Sequence, residues 1–113
     1  MNVGELEESE QVVLLALVGL MARADGMVSD WEMRTLEDLR EGIGDSFDSV
    51  RDRAAALDDA NAILKAAEKV ARPDAREAIF HILVAMALPD TIPENEAELF
   101  RRLGKLWGIE APV

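Results

Sequence analysis

A chain of 113 residues has room for one domain on one core, and half of its residues are hydrophobic, enough to fill that core. Its formal charge of −11 repels phosphate backbones, which argues against nucleic acid and points to cations or basic protein surfaces as partners. The absence of cysteine excludes disulfides, zinc–thiolate sites and thiol redox chemistry, and suits a reducing compartment. Aromatics are few (Phe47, Phe80, Phe100, Trp31 and Trp107), so the core must be mostly Leu, Val, Ile, Ala and Met.

The first predicted helix runs from about Leu6 to Ala24 and is apolar nearly all round between Val12 and Ala22, as a central helix is. Glu5, Glu7, Glu8 and Glu10 precede that run where a signal peptide would be basic, and it is shorter than the roughly 20 residues that cross a bilayer. A chain of the cytoplasm, without direct membrane insertion, is therefore expected. Asp25-Gly26 breaks the helix. A second runs from Ser29 to about Glu41, with Trp31, Leu36 and Leu39 facing inward, and Gly42-Ile43 reads as a left-handed glycine cap with an apolar latch.

Gly44, Asp45 and Ser46 start a third helix carrying Phe47, Val50, Ala54 and Leu57. Asp58-Asp59 separates it from a fourth, with Ala60, Ile63, Leu64, Ala67 and Val70 on one stripe. Pro73 suits the first turn of a fifth helix, apolar from Ala78 to Leu88 apart from His81. Pro89, Asp90 and Pro93 form a break. A sixth helix spans about Pro93 to Trp107, and Gly108-Ile109 repeats the glycine cap. No strand is expected.

A shift of 64 positions sets Val28 on Ile92, Glu32 on Glu96, Leu36 on Phe100 and Leu39 on Leu103, with the caps drifting by two. Each half would be a buried helix, an acidic break and an amphipathic helix, folded with pseudo-twofold symmetry.

The stretch "ADGMVSDWE" at Ala24–Glu32, directly after an apolar helix, resembles the signature of the TerB-like domains, the family of the tellurite-resistance protein TerB and the DjlA N-terminal domain. The residues that carry the resemblance are Ala24, Asp25, Gly26, Val28 and Glu32. "ALPDTIPENE" at Ala87–Glu96 resembles the second copy, though Pro89 takes the place of the motif's Asp and Asp90 is displaced by one. The resemblance covers nearly the whole chain. It implies an all-helical, non-enzymatic module of chemical-stress resistance, linked to membrane-associated complexes, whose acidic residues hold a metal ion. Residue by residue, it points to Asp25 and Glu32 and, in the second copy, to Glu96.

Plain chemistry leaves two readings of these residues open. Asp25, Asp30, Glu32 and the turn carbonyls offer oxygen ligands of the kind calcium or magnesium takes, and Asp90, Glu94 and Glu96 offer a second set. Equally, Ser29-Asp-Trp-Glu32 fits a capping box, Asp30 suits a helix's first turn, and Asp25-Gly26 is an ordinary turn pair. His81, the sole histidine, reads as a partly buried structural residue within reach of Glu77. Met21, Met27, Met33 and Met86 read as core fillers. Trp31, beside the acidic loop, is a candidate anchor for a partner, together with Asp30. No serine has an evident base, and no phosphate-cradling loop is present.

The expectation is thus an all-α single-domain TerB-like bundle of about six helices across residues 1–113, in two pseudo-repeated halves. It is not an enzyme. Its metal residues would be Asp25, Glu32, Asp90 and Glu96, its ion calcium or magnesium, and its partner a protein, basic or membrane-associated.

Overall fold

The computed structural model describes residues 3–25, 30–87 and 94–110, leaving aside the side chains of 22–25, 30–32, 87, 95 and 96. Among the described residues all regular structure is helical, without a strand, in the order α1 (Glu8–Asp25), α2 (Asp30–Ile43), α3 (Phe47–Ala55), α4 (Ala60–Glu68), α5 (Pro73–Ala87) and α6 (Glu94–Trp107). Short 3₁₀ turns occupy Val3–Glu5 and Gly44–Ser46.

α1 is the axis of the molecule. Every residue from Glu10 to Val18 is buried, and so is Met21, so no face of this stretch meets solvent. A helix apolar all round can only be stable when other helices enclose it, and α1 packs most closely on α3 and also on α4, α5 and α6. One hydrophobic cluster draws residues from all of these helices and from Leu39 of α2. None of the described helices is long and apolar enough to cross a membrane.

Local chemistry sets the helix ends. Asp59 caps α4 by accepting the Ala62 N–H at 2.7 Å. Pro73 is the first residue of α5, where its missing N–H costs nothing. At the end of α6, Gly108 is left-handed (φ 69°) and the Ile109 N–H reaches back to the Gly104 carbonyl at 2.9 Å, while Ile109 packs on the core. These are the bond and the latch of a Schellman cap. Trp107 is buried, and its indole N–H donates to the Ala67 carbonyl at 2.9 Å, pinning the end of α6 to α4. Phe80 and Phe100 meet edge to face, with centroids 5.8 Å apart.

Three local expectations need correction. The left-handed glycine after α2 is Gly44 (φ 80°), and Gly42 lies inside the helix. Gly42 has another reason to lack a side chain: a Cβ there would overlap Val3, and a Cβ on Gly4 would sit 3.1 Å from the Gly42 carbonyl oxygen. The Val3–Glu5 turn thus rests directly on the backbone of α2. With Gly44 as the cap, α2 and α6 start, end and turn left-handed 64 positions apart, without the expected drift. His81 is exposed, because the inward stripe of α5 is Ala75, Ile79, Phe80, Leu83 and Met86, and position 81 falls on its outer side. Met21 and Met86 fill the core as expected, but Met33 is 50% exposed.

Candidate functional site

The acidic junctions flank the helix ends. Asp25 is the last residue of α1 and Asp30 the first of α2, with Trp31 and Glu32 in the following turn. The segment 26–29 lies outside the described residues, as do the side chains of Asp25, Asp30, Trp31 and Glu32. In the second junction Asp90 also lies outside them, and Glu96 stands in the first turn of α6 with its side chain outside them. Glu94, the first residue of α6, is described. Its carboxylate accepts from Arg101 Nη2 at 2.7 Å across two helical turns and is largely exposed. Among the described residues no group of three or more His, Asp and Glu is arranged to hold a metal ion.

A polar cluster that sequence reasoning missed sits at the start of α1. Glu10 is 3% exposed. Its Oε1 accepts the Glu7 N–H at 2.7 Å, and its two oxygens take Arg72 Nη2 and, at 3.0 Å, Arg72 Nε. The neighbouring Gln11, also buried, donates from Nε2 to the Val3 carbonyl at 3.0 Å. Arg72 precedes α5, and Arg76 one turn later donates to the Val70 carbonyl at 2.6 Å. The cluster therefore ties the first turn of α1 to the connection between α4 and α5.

Its electrostatics follow from these contacts. The Arg72 hydrogen bond, helped by the Glu7 amide, holds the Glu10 carboxyl below its ordinary value in spite of burial. Glu10 in turn raises Arg72. A carboxylate held ionised with both oxygens engaged cannot act as a general acid near neutral pH. The cluster is a clamp. Two sequence signals mark it: Glu10 lies three residues after Glu7, which directly precedes α1, as in a capping box, and it stands two residues before a long apolar run, where a buried carboxylate needs a cation.

His81 opens onto a shallow cleft shared with Asp74, Glu77 and Glu5. A second concavity, of about 420 Å³, lies between α1, α2 and α3 and is almost wholly apolar. No family model, curated protein or solved structure matches this chain, so its sites stand on their own geometry.

Proposed function

We propose that the chain is a TerB-like, non-enzymatic module of the cytoplasm, serving chemical-stress resistance, in which the two acidic junctions hold a divalent cation. The observation that carries this reading is the matched pair of helices. α2 and α6 have the same length, begin at acidic residues 64 positions apart and close on left-handed glycines at the same spacing. That is the pattern expected of a duplicated helix pair with an acidic elbow in each copy. An ion bridging Asp25 and Glu32, with Asp90 and Glu96 as the second elbow, would tie the end of one helix to the start of the next.

Calorimetric titration with calcium, magnesium and manganese tests the proposal. The wild type is expected to give saturable heat that Asp25→Asn removes. Glu32→Gln, which still caps a helix, is expected to keep stability and lose affinity. Absence of heat, or equal heat from wild type and Asp25→Asn, overturns the cation reading.

A second reading is a metal-independent scaffold that docks a basic or membrane-associated protein. It is favoured by the net charge of −11 and by the solvent side of α2, where Glu37, Asp38 and Glu41 are exposed beside the exposed Met33. Trp31 and Asp30 would be its anchors. Affinity for an identified basic partner should then fall at least about tenfold in Trp31→Ala and stay unchanged on chelation of divalent ions.

A further inference from the structure

Among the described residues two large hydrophobic side chains are left exposed, Met33 on α2 and Leu106 on α6. Each stands one helical turn from a charge, and the two charges are opposite. Met33 precedes the exposed Glu37 by four residues, and Leu106 follows the exposed Arg102 by four, so each pair shares a helix face.

The surroundings extend the contrast. Arg102 and Leu106 form one wall of a shallow groove whose other wall is Leu64, Lys65 and Glu68 of α4. Lys65, Arg102 and the neighbouring Lys105 are exposed and form no ion pair among the described residues, and Glu68 is the acid set against them in the groove. On a chain of formal charge −11 this basic groove is a local exception. The outer side of α2 is its reverse. Glu37, Asp38 and Glu41 are exposed and form no ion pair among the described residues, whereas Arg40 lies over the Phe47 ring, 5.5 Å from its centroid, leaving Arg34 as the opposing charge. A helix laid antiparallel to α6 with Met33 on Leu106 and Leu64 would bring Glu37 to Arg102 and Lys65. Met33 and Leu106 are both exposed, so they do not cover each other within one molecule. Repulsion between two acidic copies does not forbid the contact, because charges more than about 8 Å apart are screened at physiological ionic strength.

We propose that α2 of one copy docks in the α4–α6 groove of a second copy of this chain. The two patches differ, so the contact is heterologous, and a pair keeps a free α2 and a free groove through which further copies add or a ring closes. One helix on one groove is a small interface, and the association is weak. The contact shares its acidic face with the scaffold reading but needs neither Trp31 nor Asp30 nor a cation.

Sedimentation of the full chain at physiological ionic strength, with and without EDTA, tests this at concentrations up to ~1 mM. Concentration-dependent assembly, unchanged by EDTA, is expected of the wild type. Lys65→Glu/Arg102→Glu and Glu37→Lys/Glu41→Lys should each stay monomeric while keeping the wild-type circular dichroism. Their equimolar mixture should form a one-to-one dimer, because each variant retains the half that the other has lost. If net charge alone governed association, Glu37→Lys/Glu41→Lys, the less acidic protein, would assemble more than the wild type. Met33→Gln and Leu106→Gln should each weaken assembly about tenfold, and Glu68→Lys should tighten it. A wild type that stays monomeric, which would leave the groove to an acidic helix of another protein, overturns the proposal. So does assembly that EDTA dissolves, assembly that persists in either double variant, or a mixture of the two that stays monomeric.

Discussion

α2 and α6 have the same length and close on left-handed glycines 64 positions apart, and yet one seals the core and the other leaves it open. α6 buries Ala97, Leu99, Phe100, Leu103 and Trp107. Among the described side chains of α2 only Leu39 is buried, while Leu36 is partly buried and Met33 exposed. Part of the difference lies in two aromatic side chains of α6. Phe100 and Trp107 stand where α2 carries Leu36 and Ile43. The two aromatics reach across to Phe80 and to the Ala67 carbonyl; Leu36 borders the concavity beside Gly19. Two helices of equal length and pattern can thus do different work, one as a structural wall and the other as the rim of a pocket.

The largest test of this contrast is truncation at the matched pair. Phe100→Ala should cost about 3–5 kcal/mol, since the ring is fully buried. Leu36→Ala should cost about 1 kcal/mol, because Leu36 already borders open space. Chemical denaturation of both variants measures the gap, and equal losses would mean that α2 seals the core as tightly as α6.

The clamp at the start of α1 should make stability depend on acid. The Glu10 carboxyl is lowered in the folded state from its ordinary value of 4.5. The stability it contributes is therefore present above that value and is lost as pH falls through the folded one. Denaturation between pH 6 and pH 2 should show this loss in the wild type, whereas Glu10→Gln should be less stable at neutral pH and flatter towards acid.

A smaller effect is expected at the end of α6. Trp107→Phe keeps the ring and removes the donor to Ala67, for a loss of about 1 kcal/mol. The smallest expected contrast concerns the two caps. Gly44→Ala and Gly108→Ala each force a side chain into a left-handed conformation and should each cost about 1 kcal/mol. Thermal melts differing by more than a few degrees would show that the caps are not equivalent.

Much of the fold was legible in residue types and spacing. The stripe Ile63, Ala67, Val70 announced α4, Pro73 announced the start of α5, and Gly108-Ile109 announced the end of α6. The left-handed glycine after α2 was misplaced by two residues, because Gly42 and Gly44 are equally permissive locally and only the Val3–Glu5 turn pressing on Gly42 distinguishes them. Glu10 stands in the sequence only as one of four acids before the apolar run, because its partner Arg72 is 62 residues away. The pocket over Gly19 was not legible at all, since an unfilled space has no residue of its own.

Periodicity, breakers and charge, all properties of neighbours along the chain, were sufficient to establish an all-helical protein with α1 enclosed and acidic segments at the helix junctions. Only the tertiary structure decided which glycine turns left-handed, which carboxylate is buried on an arginine and where the core stays open. The reason is physical. Helix formation is governed by residues a turn apart, whereas close approach, desolvation and unfilled volume depend on groups that meet only after the helices have packed.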